Sequence, residues 1–128
     1  MSKDTSQSEF FKLELKDGIL FVTYIGGPIT LEVAKDLIAR RIELANNKAY
    51  PVLVNSINVD GFDREARSFL SSEKGLEGLV AGAIVVNSAF TKHLANFFMK
   101  ISFNKSKMPA KVFSEEKEAL VWLEQFIS

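Results

Sequence analysis

Val80-Ala81-Gly82-Ala83-Ile84-Val85-Val86 runs seven residues without a charged or hydrogen-bonding side chain, and Asn87-Ser88 then ends it. A short apolar run bounded by polar residues reads as a strand buried on both faces. Tyr50-Pro51-Val52-Leu53-Val54 has the same character. Between such strands a parallel sheet needs helical crossovers. One is clear over Leu31 to Asn46, where Leu31, Ala34, Ile38, Ile42 and Ala45 fall on one stripe and Thr30 is a suitable N-cap. Val33, Leu37 and Leu44 widen that stripe, as expected of a deeply buried helix or of a homodimer surface.

Working outward, Phe10 to Leu15 alternates and Ile19 to Ile25 is rich in β-formers. Lys16-Asp17-Gly18 lies between them, so the two pair as a hairpin. Gly26-Gly27-Pro28 breaks the second strand. Asp63 is placed to cap a short helix carrying Ala66, Phe69 and Leu70, loosened by Ser71 to Gly75. Ser88 caps a helix from Ala89 to Ser102 whose inner face is Phe90, Leu94, Phe97, Phe98 and Ile101. Pro109 to Phe113 is a final strand, and Ser114 caps a last helix with Glu115 and Glu116 in its first turn. Ala119, Leu120, Leu123 and Ile127 face inward there, flanked by Trp122 and Phe126. The expected order is β-β-α-β-α-β-α-β-α: an α/β fold with a mixed sheet of about five strands and about four helices. Residues 1–8 read as a flexible polar tail and 9–128 as one domain.

Composition narrows the chemistry. The 128 residues are 47% hydrophobic and 25% charged, which excludes general disorder. Sixteen basic and sixteen acidic residues cancel, so no broad field draws nucleic acid or anionic membrane. With no cysteine, thiolate nucleophiles and cysteine-ligated metals are excluded. His93 is the only histidine, so a multi-histidine metal site is excluded too. No cofactor and no metal are expected. Met1 to Ser8 lacks an apolar signal core, and no stretch reaches the ~20 apolar residues of a membrane helix. The expected compartment is the cytoplasm.

Three stretches resemble a known family. They are Phe62-Asp63-Arg64-Glu65-Ala66-Arg67-Ser68-Phe69-Leu70; Ala83-Ile84-Val85-Val86-Asn87-Ser88 followed by Leu94-Ala95-Asn96-Phe97-Phe98; and Val112-Phe113-Ser114-Glu115-Glu116-Lys117-Glu118-Ala119-Leu120-Val121-Trp122-Leu123. In that order they resemble the SpoIIAA-like, or STAS-like, domains, and within these a small bacterial branch that is largely uncharacterised. The resemblance spans most of residues 10–127. It implies a cytoplasmic, non-enzymatic module that binds proteins or small ligands. In the regulatory branch a serine at the start of the helix after the third strand is phosphorylated. Asp63 matches the acidic residue before it, while Arg64 and Glu65 stand where the serine would be. Ser68 lies about a turn later.

Candidate site residues follow from the parallel-sheet reading. Ligands of open parallel sheets sit beyond the carboxyl ends of the strands. Asn58, Asp60, Asp63 and Arg64 follow one strand, and Asn87 and Ser88 follow the next. They form the expected partner-binding edge, although Asn and Asp also serve Asx turns and helix caps. Asp60 and Asp63 are the only paired carboxylates of that loop. No nucleophile, base or phosphate loop accompanies them, so no catalytic residue is assigned. Met99 and Phe103 fall on the outer side of a helix whose inner face is complete, and Phe97, Phe98, Met99 and Phe103 together form the expected surface for a small apolar ligand, a lipid or a second copy. The leading expectation is a STAS-like regulatory or protein-interaction module without the usual phosphorylatable serine. The alternative is a carrier of a small apolar or lipid ligand, similar to the CRAL-TRIO-like fold. An enzyme ranks third.

Overall fold

The computed structural model describes residues 4–59, 61–87 and 108–127. Among them the elements are β1 (Thr5–Gln7), β2 (Phe11–Lys16), β3 (Ile19–Tyr24), α1 (Leu31–Ala45), β4 (Tyr50–Asn55), α2 (Arg64–Leu70), α3 (Glu73–Leu76), β5 (Leu79–Val85), β6 (Ala110–Phe113) and α4 (Glu116–Leu123). A short 3₁₀ turn, Glu124–Phe126, extends α4.

The six strands lie side by side in sequence order. β1, β2 and β3 pair antiparallel, and β3 to β6 pair parallel. The hairpin turns on Asp17 and Gly18, both at positive φ, the conformation that a two-residue turn matching strand twist demands. A β-carbon on Gly18 would also lie 2.8 Å from Ile127 Cγ2.

The expected five strands become six because Thr5–Gln7, in the segment read as a polar tail, pairs with β2. Its residues are polar because it is an edge. Arg40 of α1 fastens it: Nη1 donates to the Gln7 carbonyl at 2.9 Å, Nε meets Asp36 at 3.0 Å, and the guanidinium lies over the Phe11 ring. A second difference is α3, where a loosened loop is expected. Ser72 caps it by accepting from Gly75 N–H. Gly75 is required there, since a β-carbon would strike the carbonyls of Phe69 and Leu70.

α1 forms as the periodicity predicts. Thr30 accepts from Val33 N–H at 3.3 Å, and Asn46 closes the helix in the left-handed conformation. Its wide apolar face packs on the sheet with α2: Leu37 and Ile38 are buried, and Val33 and Leu44 join the same cluster. The last helix starts later than expected. Glu115, not Ser114, holds the N-cap position, and its side chain makes no capping bond. α4 covers the opposite face, burying Ala119 and Leu123 on Leu53, Ala81, Ala83 and Val85.

Within the first layer sits a buried cation. Arg41 is 2% exposed. It follows Ala34 and Ile38 on the inner stripe of α1 and precedes Ala45, all buried. Among the described residues no helix is long and apolar enough to cross a membrane.

Candidate functional site

The register of the parallel strands aligns three positions just past the sheet. Thr23 pairs with Asn55, and Asn55 with Val85. Two residues beyond each stand Ile25, Ile57 and Asn87. Ile25 is 44% exposed and Ile57 40%. Asn87 Nδ2 donates to the Ile57 carbonyl at 3.2 Å, joining the β4 and β5 exits. The expectation that Asn87 and the 55–63 loop share one edge is met by this bond.

The loop is pinned from several directions. Asn55 Oδ1 accepts from Ile57 N–H at 3.1 Å, an Asx turn. Ser56 N–H donates to Val85, and Val59 is buried beneath the loop. The chain after β3 is stitched to it: Ile29 N–H donates to Gly61, and Asp63 N–H to Ile29. The Gly27–Pro28 peptide is cis. Phe62 packs edge-on against Tyr24, ring centroids 5.3 Å apart. The exposed groups are therefore carried on an anchored frame.

The named polar residues divide by what they do. Asn55 and Asn87 hold the loop. Asn58 is exposed. Asp63 occupies the N-cap position of α2 but makes no side-chain capping bond. Its carboxylate and the side chain of Arg64, the first residue of α2, are exposed, and neither joins an ion pair among the described residues. Arg64 stands where the resemblance places a phosphorylated serine; Ser68 lies exposed further along α2. Asp60 and Ser88 lie outside the described residues, as do His93, Phe97, Phe98, Met99 and Phe103. The ligand or dimer surface expected at the last four is thus not addressed by the fold.

Sequence reasoning missed Ile25 and Ile57. One closes a β-rich run and the other sits in a loop read as polar. Their signal was an apolar residue past a strand's last pairing position. Among the described residues no group of three acidic or histidine side chains could hold a metal ion.

Comparison with known proteins agrees with this geometry. A family model described as "Domain of unknown function (DUF7793)" matches residues 13–127, so the chain belongs to that family. The structure is similar to the crystal structure of an uncharacterized protein of the DUF3478 family with a SpoIIAA-like fold from Shewanella loihica PV-4. The TM-score is 0.61 at 17% identity, over 88% of this chain and 91% of that one. The fold is SpoIIAA-like. No curated protein matches the chain.

Proposed function

We propose that this DUF7793 member is a non-enzymatic, cytoplasmic protein-interaction module that engages its partner through the carboxyl edge of the sheet. One observation carries the reading. Ile25 and Ile57, exposed at a common register, offer an apolar centre, and Asn58, Asp63 and Arg64 offer an exposed polar rim. An apolar centre inside a polar rim is the anatomy of a protein interface. The anchored loop favours it further, because a preformed surface loses little conformational freedom on binding. Arg64 at the usual serine position supports a module that is not switched by phosphorylation at that helix start.

The test is quantitative capture by immobilised protein from lysate of the source organism. A partner retained by the wild type should be lost with Ile57→Asp and weakened with Asp63→Lys. Lys48→Glu, at the opposite end of the sheet, should leave it. Retention by all three variants would remove the reading.

A further inference from the structure

β1 is lightly held. Thr5, Ser6 and Gln7 carry no apolar side chain, and none of the three is buried. The strand is secured by a backbone ladder to β2 and by one side-chain bond from another element, Arg40 to the Gln7 carbonyl, among the described residues. Arg40 is itself steadied by Asp36 in a partly exposed ion pair, and such pairs contribute little. An element that buries no apolar surface opens locally at a small fraction of the cost of global unfolding.

What β1 covers is different in kind. Along β2, Phe11, Leu13 and Leu15 pack into the α1 layer, so Lys12, Glu14 and Lys16 lie on the opposite face. Lys12 is exposed and Glu14 half-exposed; neither joins an ion pair among the described residues. The Phe11 carbonyl accepts from Ser8 N–H at 2.9 Å, and Leu15 N–H donates to the Asp4 carbonyl at 2.7 Å. Leu13, opposite Ser6, belongs to the same set by alternation. The backbone groups of Phe11, Leu13 and Leu15 therefore point outward and meet the first strand and its flanking residues. With β1 away they form an unpaired edge, which is a template for another strand.

That edge is complementary to itself. In antiparallel pairing about a two-fold axis, residues whose backbone groups point outward face one another. With Leu13 on the axis, Leu13 faces the partner's Leu13 and Phe11 faces the partner's Leu15. Lys12 then faces the partner's Glu14, and Glu14 the partner's Lys12, at the positions where opposed side chains come closest. Opposite charges there stabilise and like charges destabilise. Centring on Glu14 would set Glu14 against the partner's Glu14 and Lys12 against the partner's Lys16. Centring on Leu15 would carry the overlap past the hairpin turn. We propose that β1 is a removable cover for this edge, and that a chain whose β1 is displaced joins a second copy of itself, β2 to β2, antiparallel and centred on Leu13. The proposal does not rest on the carboxyl-edge reading.

The test uses the full chain. Ser6→Pro removes the N–H that faces Leu13 and should release β1. Sedimentation velocity over a concentration series should show more dimer for Ser6→Pro than for the wild type. In that background Lys12→Glu alone, or Glu14→Lys alone, sets like charges face to face twice and should weaken the dimer roughly tenfold. Mixing the two variants should restore it as a mixed dimer, because opposite charges meet again. Should Ser6→Pro not fold, Arg40→Met, which removes the tie to Gln7, takes its place in the series. Amide hydrogen exchange of the wild type tests the cover itself. The Leu13 and Leu15 amides, which face β1, should exchange at least roughly tenfold faster than those of Lys12 and Glu14, which face β3. The proposal is overturned by any of three results: no added dimer in the released variant, a dimer indifferent to the charge reversals and their mixing, or equal protection along β2.

Discussion

On the α4 side of the sheet, Ala81, Ala83, Ala119 and Leu123 are fully buried in one cluster. Small side chains let the helix approach closely, and the aromatic trio Phe113, Trp122 and Phe126 seals the rim with ring centroids 5.9 and 4.9 Å apart. On the α1–α2 side, the same strand β5 offers Gly82 and Ile84, and the layer above includes the buried guanidinium of Arg41 and the phenol of Tyr24. One layer is filled with hydrocarbon; the other keeps space and polar groups inside. The alternation of a single strand thus separates a face packed with hydrocarbon from one that keeps space and buried polar groups. The two faces can differ in this way because successive side chains of a strand serve opposite faces.

The contrast can be broken most strongly at Leu123. Leu123→Ala should cost about 3 kcal/mol, read as a lower urea midpoint, because the side chain is fully buried in an apolar cluster. Arg41→Met should move the other way. Exchanging a buried, partly unsatisfied charge for a thioether chain should be neutral or stabilising by up to about 2 kcal/mol, despite two lost bonds to carbonyls. A clear destabilisation would mean that the clamp on Gly75 and Glu77 outweighs desolvation.

Alkaline pH sharpens the comparison because both titrating groups belong to one face. Burial raises the Tyr24 phenol well above its usual 10.0, opposed by the nearby Arg41 charge. Burial lowers Arg41 from 12.5 to about 10, opposed first by Glu77 and then by Tyr24. Above pH 10 the unfolded chain releases the Tyr24 proton first, so this group's contribution to stability falls as pH rises. Arg41 acts in the opposite sense over the same window, since the unfolded chain holds that proton longer. In Arg41→Met only the tyrosine effect remains. Its unfolding free energy should fall by about 1.4 kcal/mol per pH unit above pH 10, and more shallowly in the wild type, measured by urea titration. The smallest effect is expected at Thr30→Ala. Loss of the α1 cap should cost about 1 kcal/mol by the same measurement.

Much of this architecture was legible because the relevant signals are local. Asp17-Gly18 specifies its turn, the 34, 38, 42 and 45 spacing specifies α1, and unbroken apolar runs specify β4 and β5. Placing Asn87 beside the 55–63 loop needed only the rule that parallel strands end on the same edge. The failures share a different origin. β1 is polar and owes its place to its pairing with β2 and to Arg40, which is distant in sequence. α3 was hidden by Gly75, which disfavours helix in isolation and is demanded by the carbonyls of Phe69 and Leu70. Ile57 looked like part of a polar loop, and its exposure depends on where the Asx turn of Asn55 sends the chain. Arg41 occupies an apolar stripe by spacing, yet a charged side chain reads as solvent-facing until the α3–β5 turn supplies carbonyls. For β1, α3 and Arg41 a partner elsewhere in the fold overrode the local preference, whereas at Ile57 a local turn decided it.

The spatial order of the strands, identical to their order in the sequence, bears on how the chain reaches this state. Each strand pairs with the one that precedes it, so every loop to be closed is that of a single connection. Topologies with short sequence separation between contacts fold faster than those that must first join distant segments. During synthesis the sheet can grow one strand at a time from the hairpin as the chain emerges from the ribosome. α4 breaks this progression by returning to pack on β4 and β5, so the second face closes last.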